Sequence, residues 1–528
     1  MNASYELIVI GAGPAGLSAG IEAAKNGMKV AVFDENARPG GQLFKQIHKF
    51  FGSKEHHAKE RGFKIGESLL KEATDAGVEV FLNSTVMGIY QNHEVTVRQN
   101  ENVNHFKADY IIIATGAAEN MIPFNGWNKP GVIGAGAAQA LMNLQGVQPG
   151  SKVLMVGSGN VGLVVSFQLL QAGCKVAAVI DAAPRVGGYG VHAAKVARIG
   201  VPFYMKHTII EAKGTDRVTS AVIAEVDDHF KPIPGTEKEL DVDTICIAVG
   251  LTPMSQLASN ATCSMALLPQ KGGNVAVLNE YGETSVPGVY CAGDVAGIEE
   301  ASSAMIQGRS VASHVLFSAG YISEEEFKEK YTGCQNALGA LRQGMFAPQF
   351  KGRNDWTATD EGYPISRSLL DRGFMTWDEL KNFPAVNYKK SGVHPVIECT
   401  QNIPCNPCQE ACKFGCIKVG ENITRIPAID VEKECKGCGM CVAFCSGQAI
   451  FLINEDYETG YATVGLPYEF LPLPKKGDKG MALSRSGSEV CEAEVVSVVT
   501  SSVMDKTSIL TMKVPVQYVN EARFFKPE

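Results

Sequence analysis

The chain has 528 residues, is 45% hydrophobic and carries a formal net charge of -8. That length and apolar content suit about three or four globular domains with ample core. The acidic balance gives no electrostatic support to a nucleic-acid partner. No apolar run of about eighteen residues occurs, so no membrane span is expected. Core structure begins by Tyr5 with no signal peptide before it, so a cytoplasmic protein is expected.

The first stretch, Tyr5 to Asp34, reads as strand, turn, helix and strand. The turn is Gly11-Ala-Gly13-Pro14-Ala15-Gly16. Gly11 suits a sharp turn, Gly13 lets backbone approach a pyrophosphate, and Gly16 lets the helix pack on the strand. The helix N-terminus offers free N–H groups to phosphates. The second strand ends on Asp34 and Glu35, placed to take ribose hydroxyls. A dinucleotide site is expected, against the plainer alternative of an ordinary glycine turn.

Next comes Arg38-Pro-Gly40-Gly41-Gln42, where glycines let backbone run close to a flat ring system. His48, His56 and His57 have no acid or cysteine beside them at a ligand spacing and read as surface or loop residues. Residues 64–76 suit a helix, 78–81 a strand, and hairpin-like strands run to about Ala108. Tyr110 to Gly116 is a buried strand ending in Ala114-Thr115-Gly116, expected beside the first strand in a parallel sheet.

Then the pattern restarts. The strand Lys152 to Val156 leads into Gly157-Ser-Gly159-Asn160-Val161-Gly162, then a helix, then a strand ending on Asp181. Asp181 favours NAD, while Arg185 leaves NADP open. A different adenine nucleotide, or a fold relic without ligand, is the alternative. Thr244 to Gly250 is another buried strand, and Gly288 to Asp294 an apolar strand ending in Gly293-Asp294 before a helix at 301–317. Asp294 is read as a ligand for ribityl hydroxyls or as an N-cap.

These motifs closely resemble the two-dinucleotide-domain flavoproteins that include thioredoxin and glutathione reductases, over about 320 residues in the family's order. The resemblance implies two Rossmann-like domains in an α/β fold: an FAD domain at 1–117 and 246–322, with an NAD(P) domain at 118–245 inserted in it. FAD contacts are implied at Gly11, Gly13, Pro14, Ala15, Gly16, Asp34, Glu35, Gly41, Gln42, Val86, Ala114, Thr115, Gly116, Gly250, Gly293 and Asp294. Nicotinamide-nucleotide contacts are implied at Gly157, Gly159, Asn160, Val161, Gly162 and Asp181. One departure matters: the disulfide reductases carry a redox cysteine pair, and before Cys399 this chain has no close pair. Flavin electrons must leave by another route.

Residues 323–395 read as a helical and loop linker, with Glu324 to Lys330 a solvated helix face. Nine of the fifteen cysteines then crowd between Cys399 and Cys445. In a reducing compartment such a cluster reads as metal binding. Cys435-x2-Cys438-x2-Cys441-x3-Cys445 has bacterial ferredoxin spacing, with Ser446 where proline is usual. Cys405, Cys408 and Cys412 repeat its last three positions 33 residues earlier (438 − 405). The position matching Cys435 is Asn402, so the first block lacks one thiolate. Cys399 is the candidate replacement and Cys416 the weaker one. The crossover rule groups Cys412, Cys435, Cys438 and Cys441 on one [4Fe-4S] cluster and Cys399, Cys405, Cys408 and Cys445 on the other. Without Cys399 the second would be a [3Fe-4S] species or absent. This ferredoxin-like part (396–456) is followed by a small β-rich domain (457–528), with 495–499, 508–514 and 515–519 strand-like.

The order of parts, with Gly40-Gly41-Gln42-Leu43 and Arg185 to Lys195, resembles the NADH-linked alpha-type subunits of heteromeric amino-acid and amine dehydrogenases. That group includes dye-linked proline, hydroxyproline and opine dehydrogenases and sarcosine-oxidase-alpha-like subunits. Some members carry a [2Fe-2S] module instead. The resemblance implies an electron-transfer subunit, cytoplasmic and hetero-oligomeric, relaying electrons between NAD(H), FAD and the clusters. It implies a flavoprotein partner subunit holding the substrate, with a ferredoxin as an alternative partner. No catalytic acid or base is demanded. The rivals are a stand-alone NAD(P)H:acceptor oxidoreductase, a subunit like the small subunit of glutamate synthase, whose module order is reversed, and a redox sensor or scaffold.

Overall fold

The computed structural model describes residues 3–351, 353, 356–387 and 391–528. The chain divides into two compact units: Met1–Phe50, Glu55–Glu119 and Gly250–Arg353 form one, and Phe51–Lys54, Asn120–Val249 and Asn354–Glu528 the other.

The first unit is built on a seven-stranded sheet. The strand Ala3–Ile10 pairs in parallel with Val30–Phe33 on one side and Asn102–Ile113 on the other. Its residues Leu7, Ile8 and Val9 are fully buried, as a strand covered on both faces requires. The strand Asn102–Ile113 has two roles. Its first half is antiparallel to Glu94–Gln99, while its end runs parallel to Val289–Cys291. The helix Pro14–Lys25 follows the first turn with proline at its start, where a missing N–H costs nothing. It packs on the helix Ala301–Ser318, and Leu17, Ile112, Ala304 and Val315 share one core. The helix Glu324–Leu341 opens with a capping box. Ser323 Oγ accepts from the Glu326 N–H, and the Glu326 carboxylate accepts from the Ser323 N–H.

The second unit holds three sheets of three or more strands. Five parallel strands run in the order Phe203–Met205, Lys175–Asp181, Lys152–Val156, Thr244–Ile247 and Val132–Gly134. Three antiparallel strands cover 207–241. A seven-stranded antiparallel sheet takes His394–Ile397 and Ile450–Glu458 together with five later strands. Strands before and after the cysteine stretch thus lie in one sheet with the C-terminal strands, and share a core around Phe451, Val464, Val495 and Phe525.

Two expectations are corrected. Residues 515–519 do not form a strand: Pro515 ends the strand Ser508–Pro515, and Val516–Tyr518 is a 3-10 turn. His56 is not a surface residue but 1% exposed. Its Nε2 lies 3.0 Å from the Ala337 carbonyl oxygen, and the Ser302 hydroxyl donates to its own carbonyl. Among the described residues no helix is long and apolar enough to cross a membrane.

A Cβ added at Gly308 would lie 2.1 Å from the Ala15 carbonyl oxygen, because the two helices touch backbone to backbone. Gly308→Ala is expected to lower the stability of the first unit by about 1–3 kcal/mol, read as an earlier thermal transition by circular dichroism. An unchanged transition would contradict this close packing.

Candidate functional site

The first glycine turn closes on backbone alone. Gly11 adopts φ +107°, and a Cβ there would stand 2.3 Å from the Ala114 carbonyl oxygen. A Cβ at Gly16 would stand 1.9 Å from the Gly11 carbonyl oxygen. Neither position tolerates a side chain. At Gly13 an added Cβ would meet nothing within 4 Å, so the turn is bare and open there, at the N-terminus of the helix Pro14–Lys25.

The carboxylate that ends the second strand braces this turn. Asp34 accepts from the Ala12 N–H at 2.7 Å and from the Asn36 N–H and Nδ2 at 2.8 Å each. The Gly40 N–H donates to the Ala12 carbonyl, and a Cβ on Gly41 would stand 3.0 Å from the Gly13 Cα. Gly293 meets the same turn, with an added Cβ 2.8 Å from that of Ala15. Thr115 Oγ1 donates to the Met254 carbonyl. Gly11, Gly13, Ala15, Gly16, Asp34, Gly41, Ala114 and Gly293 are therefore neighbours. Glu35 and Gln42 are exposed, and Gly116 and Gly250 have positive φ. Val86 pairs with Val97 and packs on the core that holds the strand-end residues Ile10, Phe33 and Ile113.

The second turn repeats the first. A Cβ at Gly157 would stand 2.2 Å from the Ala248 carbonyl oxygen, and one at Gly162 would stand 2.1 Å from the Gly157 carbonyl oxygen. Gly159 faces open space, with Asn160 and Val161 starting the helix Asn160–Gln171. Asp181 accepts from the Ser158 N–H and Oγ at 2.7 Å each. Gly187 donates to Ser158 Oγ, Gly188 to the Ser158 carbonyl, and Tyr189 to Asn160 Oδ1. Ser158, Gly187 and Gly188 escaped the sequence reading. The signal was present: Arg38-Pro-Gly40-Gly41 recurs as Arg185-Val-Gly187-Gly188, 147 residues later (185 − 38), the spacing that also separates Asp34 from Asp181.

The structure brings the cysteines of the stretch close together, in two neighbourhoods that overlap at Cys408. The thiol of Cys405 is pushed well up by burial and by its neighbours Cys408, Cys445 and Cys399. Cys399 is pushed to about 12 by burial and Cys445. Cys441 is raised by burial and by Cys435, Cys408, Cys438 and Cys412. Cys412, Cys435, Cys438 and Cys441 line a cavity of about 20 Å3 that Cys416 also touches. Cys416 thus sits with the other group from the one that lacks a thiolate, its N–H donating to Cys412 Sγ at 3.2 Å. The Gly437 N–H donates to Cys435 Sγ and the Ala449 N–H to Cys445 Sγ, each at 3.4 Å. Asn402 is fully engaged elsewhere. Its Nδ2 donates to Glu361 and the Thr424 carbonyl, and its Oδ1 accepts from the Asp360 N–H. Among the described residues no three His, Cys, Asp or Glu side chains converge on the position of a single metal ion. A thiolate-bound iron–sulfur cluster does not require such convergence, because each thiolate binds a different iron.

The family model described as pyridine nucleotide-disulphide oxidoreductase matches residues 5–308. An opine oxidase subunit of Agrobacterium tumefaciens (strain Ach5) is 28% identical over 375 residues, covering 65% of this chain and 74% of that protein. Hydrogen cyanide synthase subunit HcnB of Pseudomonas aeruginosa is 27% identical over 354 residues, covering 64% and 76%. Among solved structures, L-proline dehydrogenase from P. horikoshii shares the fold with a TM-score of 0.50 at 21% identity, over 63% of this chain and 59% of that one.

Asp294 sits in the 3-10 turn Gly293–Ala296 and accepts from the Glu299 N–H, while Glu300 takes the N-cap of the following helix. Burial, and after it the nearby Glu299 charge, push its carboxyl up to about 6. A pKa raised by folding means that stability is present below the unfolded value of about 4 and lost as pH rises through the folded value. Between about pH 4 and 6 the wild type is therefore expected to lose stability relative to Asp294→Asn. Thermal scans of both proteins across that window check this, and parallel curves would refute it.

Proposed function

Because the chain belongs to the pyridine nucleotide-disulphide oxidoreductase family, we propose that it is the electron-transfer subunit of a heteromeric amino-acid or amine dehydrogenase or reductase. In this reading it relays electrons between NAD(H), FAD and two [4Fe-4S] clusters and a partner subunit that holds the substrate. The observation that carries this beyond a generic oxidoreductase is the gathering of eight cysteines close to one another in a chain with no close cysteine pair before Cys399. The names of the relatives, subunits of an opine oxidase and of a hydrogen cyanide synthase, support a place in a complex.

The donor set fits these groups. Bare backbone at Gly13 and Gly159, each at a helix N-terminus, suits the pyrophosphates of FAD and of a nicotinamide nucleotide. Asp34 and Asp181 hold the two turns in shape through Ala12 and Ser158. Cys412, Cys435, Cys438 and Cys441 would hold one cluster. Cys399, Cys405, Cys408 and Cys445 would hold the other, Cys399 standing in for the thiolate missing at Asn402. Backbone N–H donors to Cys412, Cys435 and Cys445 stabilise thiolate charge. When bound, the flavin supplies the exchange between hydride and single-electron chemistry and the clusters carry single electrons. No side chain of this chain is asked to move a proton. Fifteen cysteines without a disulfide suit a cytoplasmic location.

The test is an anaerobic NADH titration of the purified protein, followed by absorbance and EPR, with iron and flavin quantified. Flavin bleaching, reduced-cluster signals and about eight irons per flavin are expected. An oxidised flavin after NADH, or a protein without iron, would sink the reading. Cys399→Ala is expected to lose about half the iron and Cys416→Ala none; the reverse would exchange their roles.

A further inference from the structure

Three arginines from distant parts of the second unit line one cavity with the carboxylate of Glu398. Arg198 follows the helix Gly190–Ala197, Arg485 the strand Lys479–Leu483, and Arg523 precedes Phe524–Pro527. Glu398 accepts from Arg485 Nη2 at 2.7 Å and Nε at 3.1 Å, and from Arg523 Nε at 2.6 Å. The arginines are 1–6% exposed. Arg485 and Arg523 both pair with the Glu398 carboxylate, so one carboxylate is shared between two guanidinium groups. One further carboxylate, the half-exposed Glu521, lies 3.7 Å from Arg485 Nη1 at the rim. Among the described residues the buried set is three cations against one anion, and no other carboxylate lines the cavity of about 30 Å3 between them. Arg523 is pushed down to about 10 by burial and by Arg485.

An uncompensated buried charge is costly, so such an excess calls for a negative partner. A thiolate sulphur is a candidate. After Glu398, the attractive neighbour of Arg198 is Cys445. Arg198 Nη1 also donates to the Gln448 carbonyl at 2.9 Å, in the loop whose Ala449 N–H reaches Cys445 Sγ. Arg198 is itself held in place, because its helix starts at Gly190, whose N–H donates to Gln401 Oε1 between Cys399 and Cys405. A cluster on four thiolates is anionic and gains a further negative charge on reduction. A fixed cation beside it favours the reduced form.

We propose that Arg198 is a positioning residue that raises the reduction potential of the cluster held by Cys399, Cys405, Cys408 and Cys445, with Arg485 and Arg523 completing the counter-charge. The proposal rests on the cluster reading above.

The test is an EPR-monitored redox titration of wild type, Arg198→Gln and Arg198→Lys, with iron counted in each. Arg198→Gln is expected to shift one cluster toward the oxidised form by about tenfold, a fall of about 59 mV for one electron, and to leave the other cluster unmoved. Arg198→Lys keeps the charge and is expected to shift less. Unmoved potentials, or equal shifts of both clusters, overturn the proposal. If Arg198→Gln loads no iron, Arg198→Lys decides: a full tenfold fall there overturns a role for charge, and a smaller one upholds it. A wild type without iron would mark failure of the cluster reading itself and carry the proposal with it.

Discussion

Both nucleotide-type turns depend on a helix backbone touching the carbonyl of the turn before it. At Gly16 and at Gly162 the space for a methyl group is already filled by the carbonyl oxygen five residues earlier. That contact fixes where each helix begins and keeps the third turn residue bare. It also presses each turn against the adjoining strand end, Ala114 in one case and Ala248 in the other. The parallel sheets then follow in register, with Ile10 opposite Ile113 and Val156 opposite Ile247. The acid at the end of each second strand belongs to the same device. Asp34 and Asp181 bind turn N–H groups directly, so each has a backbone partner in addition to the sugar role expected of it.

Much of this frame was legible because it is written in short-range patterns. Continuous apolar runs such as Leu7 to Ile10 and Ile111 to Ile113 mark strands buried on both faces, and the glycine spacing marks the turns. Helix starts were less legible. The helix Gly62–Asp75 begins two residues before the sequence reading puts it, because first-turn residues look like loop residues. His56 was misread because what buries it, Ser302 and Ala337, lies about 250 residues or more away. The strand His394–Ile397 was hidden by Pro395, which argues against a strand unless the edge is known to be free; here it is an edge strand.

The cysteine stretch divides in the same way. Ferredoxin spacing and the offset of 33 are local signals. The arginines around Glu398 are not: positions 198, 485 and 523 share no motif, and their meeting is a product of tertiary packing. The two oxygens of Glu398 bind guanidinium groups from two C-terminal segments, while Arg198, at the end of the helix Gly190–Ala197, lines the same cavity. Removing one member of such a buried pair typically costs about 3–5 kcal/mol, because the other charge is left stranded.

The pairing of Ile397 with Ile450 has a consequence for topology. These residues face each other on neighbouring antiparallel strands, so the intervening 52 residues (398 to 449) leave and re-enter the sheet at one place. Every cysteine of the two groups lies inside that excursion. In topology it is an overgrown hairpin loop, and a short turn could join the same two strands without disturbing the order of the others. The sheet is therefore a socket and the cysteine stretch a cartridge. Among the described residues, only the Glu398 pairs with Arg485 and Arg523 tie the start of the cartridge to the far strands of the socket by ion pairs, so the strand order itself does not depend on what the excursion holds.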